Sequence, residues 1–139
     1  MSVRSIDRGE TKMIVVNTAR EMAGYILQIA NNEQVFPKRY RWYIGQTIID
    51  RATAVYELVI MANATYVDSK ESAERRLHYY KLAYEYSSAL LARIEMAHYA
   101  IKSMTGKKAE LMIGKITDTQ SKIAMTITSE KKRYHDYLI

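Results

Sequence analysis

Between Leu77 and Ile101 the core-facing positions alternate by three and four without a slip: Leu77, Tyr80, Tyr84, Ser87, Leu91, Ile94, His98 and Ile101. Ala83, Leu90, Ala97 and Met104 widen that line into a band. A strand would alternate by two, so this pattern predicts an α-helix with one face toward a core. Asp68 with Glu71 is its expected N-terminal cap. Thr105-Gly106 is its expected end, because glycine accepts the left-handed conformation that closes a helix. Such a helix covers roughly 35 residues, or about 50 Å at 1.5 Å per residue.

The rest of the chain repeats the theme in shorter pieces. A first helix is predicted from about Gly9 to about Asn31, with Asp7 and Glu10 as its cap and Val16, Ala19, Ala23, Ile26 and Ala30 on one face. Asn31-Asn32 marks its exit. Proline disfavours helix at Phe36 and is welcome in a first turn, so the second helix should start at Pro37 or Lys38 and run to about Tyr66. Its stripe is Ile44, Ile48, Ala52, Val55, Val59 and Ala62. A fourth helix carries Ala109, Ile113, Ile116, Gln120, Ile123 and Ile127. Its threonines lower intrinsic helix propensity, so it depends most on packing. The basic tail, about residues 131–139, is expected to fray or to dock elsewhere. Four amphipathic helices with short connections predict an all-α fold: an antiparallel up-down-up-down four-helix bundle with a long third helix, one domain over residues 1–139.

Composition agrees. The chain has one Pro and five Gly in 139 residues, too few breakers for many short strands and turns. It has no Cys, which excludes disulfides, thiolate metal sites and cysteine nucleophiles and suits a reducing compartment. No apolar run approaches the roughly 20 residues that span a bilayer, and the N-terminal residues lack the apolar stretch of a signal peptide. The expectation is a soluble, cytoplasmic protein.

The formal charge of +6, with a pI of about 9.4, suits polyanionic partners, although a surplus of this size also serves solubility. The arrangement of the charge says more. Phe36-Pro37-Lys38-Arg39-Tyr40-Arg41-Trp42-Tyr43 interleaves cations with aromatic rings. Cations neutralise phosphates, and Tyr and Trp stack on unpaired bases. Arg75-Arg76, Lys107-Lys108 and Lys131-Lys132-Arg133 are further clusters. In an antiparallel bundle Lys38, Arg39 and Arg41 share an end with Lys107 and Lys108, while Arg75 and Arg76 lie toward the opposite end. Solvated helix termini would account for each doublet equally well. Tyrosine outnumbers phenylalanine twelve to one. Tyr79, Tyr80, Tyr84 and Tyr86 wrap around the third helix, so some must be exposed, lie between subunits or fill the boundary of a small core.

Chemistry is hard to place. His98 falls on the third helix's apolar stripe, where a hydrogen-bonded core or interface histidine is expected, and His78 and His135 read as surface residues. A di-metal carboxylate bundle needs a Glu-x-x-His pair from each of two helices, and Glu95-Met96-Ala97-His98 supplies one. There is no phosphate-binding glycine loop and no zincin motif. No catalytic residue, metal site or cofactor is expected, and the protein is not read as an enzyme.

The segment from Phe36 through Gly45-Gln46 to Ala62-Asn63 resembles the Avd family, the accessory variability determinants of diversity-generating retroelements. Proteins encoded in ribosomal-RNA intervening sequences share a version of the same pattern. The likeness continues through Glu74-Arg75-Arg76-Leu77, Leu90-Leu91-Ala92-Arg93-Ile94-Glu95 and Ser129 to Tyr134, covering about residues 10–134. It implies a four-helix bundle that assembles as a homopentamer, binds a reverse transcriptase and RNA or DNA, and supports mutagenic copying without being an enzyme. Lys38, Arg39, Arg41, Arg75, Arg76, Lys107 and Lys108 are the expected phosphate contacts. Phe36, Pro37, Gly45 and Gln46 match the family pattern and are read as structural: Gly45 as a point of close helix approach, Gln46 as a half-buried hydrogen-bonding group. The fourth helix, rich in Thr, Met and Lys, lacks the tryptophan associated with that region of many relatives. The alternative is an oligomeric protein-interaction bundle of the intervening-sequence type that does not bind nucleic acid directly.

Overall fold

A computed structural model describes residues 2–139, with side chains from Ile14 onward. Its elements are α1 (Ser2–Ala30), α2 (Lys38–Tyr40), a π turn (Arg41–Gly45), α3 (Gln46–Ala64), α4 (Lys70–Ala100), α5 (Gly106–Arg133) and α6 (His135–Leu138). Among the described residues there is no strand. No helix there is long and apolar enough to cross a membrane.

The helices begin and end where local chemistry allows, which is not always where the periodicity suggested. α1 extends back to Ser2, so Asp7 lies inside it rather than capping it. The side chains of Asp7 and Glu10 are outside the described ones. α1 leaves through a turn built on Asn32, whose side chain accepts from the Gln34 N–H at 2.9 Å and whose carbonyl accepts from Val35 and Phe36. α4 is capped by Ser69, one residue later than Asp68. Ser69 Oγ accepts from the Ser72 N–H at 3.1 Å and Ser72 Oγ accepts from the Ser69 N–H at 3.0 Å, a reciprocal pair built from two serines. α4 stops at Ala100, short of Thr105-Gly106. Gly106 closes nothing: its φ is not positive, and it opens α5 behind a Thr105 cap.

One core runs through the molecule. α1 packs on α3 and α5, and α4 packs on the same two helices. α3 buries Ile48, Ala52, Val55, Val59 and Ala62 as expected, but the next position back is Gly45, with Ile44 half-buried. The π turn adds a residue to the helical turn at this point and shifts the face by one. On α4 the buried line is Tyr80, Ala83, Ser87, Leu90, Ile94 and Ala97, so Tyr84 and His98 lie outside it. On α5 the buried line is Ala109, Met112, Ile116, Thr119, Ile123, Thr126 and Glu130, and Ile113, Gln120 and Ile127 sit at its edge. Thr119 and Thr126 tolerate burial because each hydroxyl donates to the carbonyl four residues back, Lys115 and Lys122, at 2.8 Å. α6 turns back and packs on α4 and α5, so the tail docks on the fold.

Three of the five tyrosines on α4 fill the core and its boundary, and Tyr99 near its end is exposed. Tyr80 is fully buried, and Tyr79 and Tyr86 pack half-buried against the core. Arg51 lies 4.7 Å from the Tyr86 ring centroid, a cation over a boundary aromatic. Tyr84 is exposed.

Candidate nucleic-acid interface

Two loops bring distant basic clusters together. Ser103 Oγ, after α4, donates to the Val35 carbonyl, before α2, at 2.6 Å. That bond pins the turn leading to Lys107-Lys108 on the turn leading to Lys38-Arg39-Tyr40-Arg41. His98 Nδ1 lies 2.8 Å from the Met104 carbonyl and steadies the same loop. His98 is thus hydrogen-bonded as expected, but from an exposed position rather than the core. Lys38, Arg39 and Lys107 are exposed and Lys108 is half-buried. Arg39 lies 4.8 Å from the Tyr40 ring centroid. Arg41 is partly engaged already, with Nη2 3.1 Å from Glu33 Oε1. The next two residues, Trp42 and Tyr43, are 78% and 79% exposed. Four cations and two open aromatic faces thus stand on adjoining turns, a combination suited to phosphate and unpaired bases.

The family-pattern residues form the support of this turn. Phe36 is fully buried. A Cβ added at Gly45 would meet the Ala30 carbonyl oxygen and the Phe36 ring at 3.8 Å, ordinary van der Waals contact. The backbone of α1 is close to Gly45 but not so close that it requires glycine. Gly45→Ala is therefore expected to leave the fold intact and raise stability by up to about 1 kcal/mol, the usual helical preference of Ala over Gly; thermal denaturation checks it, and a fall in stability would contradict it. Gln46 is exposed rather than half-buried, and its Nε2 donates to Asp50 Oδ1 at 3.0 Å.

Arg75 and Arg76 part company. Neighbours on a helix point about 100° apart, and only one of this pair faces solvent. Arg75 is exposed in a groove with Glu71, Glu74, His78 and Lys81, a mixed-charge surface that offers phosphate little net attraction. Arg76 is 2% exposed and is no phosphate contact. Its Nε and Nη2 donate to the two carboxylate oxygens of Glu130 at 2.8 and 2.9 Å. Its Nη1 reaches the carbonyls of Ala62, Asn63 and Thr65 at 2.9, 3.2 and 3.0 Å. These are carbonyls at the end of α3 and its exit; that of Ala62 also accepts the Thr65 N–H at 3.1 Å. Burial pulls the Arg76 guanidinium toward the neutral form, but the Glu130 bond and charge outweigh it, and its pKa is raised.

The cluster continues with Arg133, whose Nη1 lies 3.6 Å from Glu130 Oε1, and with Tyr134 and Tyr80 beside Arg76. Burial pushes the Tyr80 phenol up to about 12, against the pull of Arg76. Its hydroxyl has no hydrogen-bond partner among the described residues. An unfolded tyrosine titrates near pH 10, so between about pH 10 and about pH 12 the unfolded chain ionises while buried Tyr80 stays neutral, and the fold loses up to about 3 kcal/mol over that span, with no such loss below about pH 10. Tyr80→Phe should flatten the loss while costing little at neutral pH, since no hydrogen bond is removed. Urea midpoints at about pH 9 and about pH 11 would show it, and an unchanged alkaline loss in the variant would refute it.

Sequence reasoning passed over this cluster, yet a signal was present. Carried outward, the apolar phase of α4 lands on Arg76 and that of α5 lands on Glu130. Opposite charges on two core stripes are a pair waiting to meet. Among the described residues no three His, Asp or Glu side chains converge as a metal site would require.

No protein-family model matches the chain, and no curated protein or solved structure matches it.

Proposed function

We propose that this chain is a non-enzymatic accessory subunit of a diversity-generating retroelement, acting in the cytoplasm with a reverse transcriptase and nucleic acid. The observation that carries the reading is the Ser103–Val35 bond, which ties the loop before Lys107 and Lys108 to the loop before Lys38 and Arg39, with Trp42 and Tyr43 exposed nearby in the chain. The resemblance of the Phe36–Gln46 segment supplies the biological setting. The fold in this reading is an antiparallel up-down-up-down four-helix bundle of α1, α2–α3, α4 and α5. Its support is that each long helix packs on two others, that Arg76 joins the end of α3 to the end of α5, and that Ser103 joins the other two loops.

The direct test is RNA binding by the purified chain, followed by gel shift at low and high salt. A shift that salt abolishes supports the reading, and a chain that shifts no RNA or DNA at low salt overturns it. Self-association as a homopentamer belongs to the same proposal, and exposed Leu111, Met125 and Tyr66 offer apolar contact area for it. Light scattering that returned the 16.1 kDa monomer would contradict it. Those apolar side chains also favour the second reading, an oligomeric protein-interaction bundle without nucleic acid. A protein partner retained after nuclease treatment, with no gel shift, would establish that reading instead.

A further inference from the structure

The turn that bears the basic cluster also bears a cavity of about 200 Å³. Lys38, Arg41, Trp42, Asn31, Gln46 and Ile49 line it, between the end of α1 and the π turn. We propose that this cavity takes one unpaired nucleobase with its adjoining phosphate, the base against the Trp42 indole and the phosphate on Lys38 and Arg41. The inference rests on the nucleic-acid reading above and deepens it, because it names what the site recognises: a splayed-out base rather than a duplex.

Size is the first argument. Drug-sized ligands occupy about 300–1,000 Å³, so this smaller space suits a single flat ring. The walls are the second. A largely exposed indole offers a stacking face, and every base has a π-face to meet it. Asn31 and Gln46 carry side-chain amides, which both donate and accept and so match the mixed edge of a base. Gln46 spends one N–H on Asp50 and keeps its carbonyl oxygen. Ile49 supplies an apolar surface against which a ring can rest.

Arg41 is the third argument. Its Nη2 is held by Glu33 at 3.1 Å, which fixes the guanidinium on the cavity wall that it shares with Lys38. Two cations on one wall suit a phosphate. The backbone is the fourth. π turns within helices are rare and concentrate at functional sites, and this one re-aims Arg41 and Trp42 beside Lys38. A base stacked inside a duplex could not enter, so the site selects single strands or free nucleotides.

Trp42 is the only tryptophan in the chain, so tryptophan emission excited beyond the tyrosine absorption band reports on this cavity alone. The full-length chain would be titrated with the four nucleoside monophosphates, with ribose 5-phosphate and with single-stranded oligonucleotides. At least one nucleoside monophosphate should quench Trp42 emission saturably and ribose 5-phosphate should not. Quenching by none of the four, or equal quenching by ribose 5-phosphate, overturns the proposal. Quenching by both oligonucleotide and monophosphate identifies a base within a strand, and quenching by monophosphate alone identifies a free nucleotide; either supports the cavity.

Trp42→Leu should weaken binding of an ordinary single strand by about 5- to 100-fold, the usual effect of losing one base–aromatic stack, and leave an abasic strand of equal length unaffected. An equal loss for both strands would end the base-pocket idea while leaving the electrostatic interface standing. A wild-type chain that binds neither strand but still responds to a monophosphate would end the nucleic-acid reading and keep the cavity.

Discussion

Arg76→Ala is expected to destabilise the fold by about 3–5 kcal/mol, the usual cost of removing one partner of a buried ion pair. The charge itself is only part of the loss. Glu130 would remain 3% exposed with Arg133 3.6 Å away, too long for a hydrogen bond. The carbonyls of Asn63 and Thr65 would lose their Arg76 donor, and that of Ala62 would keep only the Thr65 N–H. Small domains hold about 5–15 kcal/mol in total, so this one residue commands a large share. The measurement is a urea midpoint that falls with its slope unchanged. Arg75→Ala, one residue away and exposed, should stay within about 0.5 kcal/mol. A double replacement of Arg76 and Glu130 by apolar residues should recover part of the loss, because no charge is then stranded. A cost below about 1 kcal/mol for Arg76→Ala would show that the cluster is not an anchor.

The second large effect concerns binding. If Lys38, Arg39, Lys107 and Lys108 each neutralise one phosphate of a single strand, the logarithm of affinity falls with the logarithm of salt with a slope of about −2.8. Between about 50 and 200 mM salt that is a loss of about 50-fold. Replacing all four by Ala should weaken binding at low salt and flatten the slope by about the same amount. The equivalent change at Arg75 should do little, because Glu71 and Glu74 already surround it. Fluorescence anisotropy with a labelled strand measures both quantities. A slope near zero for the wild-type chain, or a quadruple variant that binds as well, would refute the electrostatic interface. The stability and binding variants separate cleanly: Arg76 should change the urea midpoint, and the Lys38–Lys108 end should not.

Pro37 put the second helix's start at Pro37 or Lys38, and it begins at Lys38, while helical spacing located all four long helices. These signals are local. A proline ring or a turn-forming asparagine acts within a few residues, so the chain's own order reveals it. Phase was less secure. Along the α4 stripe Leu77, Tyr80, Ser87, Ile94 and Ile101 are buried, as are Ala83, Leu90 and Ala97 from the widened band, but Tyr84, Leu91 and His98, one residue further on each time, are not. One step in seven is a small error in sequence but about 100° around the helix. It is decided by which neighbours pack opposite, and small alanines there admit the closer helix.

The same distinction holds for the candidate site. Charge, aromatic interleaving and helical class follow from residue types and their spacing, and the amino-acid sequence alone determined them. Residue type did not separate Arg75 from Arg76, because adjacent identical side chains differ only in the direction the helix gives them, and only the phase of the apolar stripe carried outward singles out Arg76. Tertiary packing sent Arg75 to solvent and Arg76 to Glu130, which lies 54 positions away. Packing also tied the loop before α5 to the loop before α2 through Ser103 and Val35, 68 positions apart. Both are meetings of groups far apart in the chain, and no local pattern encodes such a meeting.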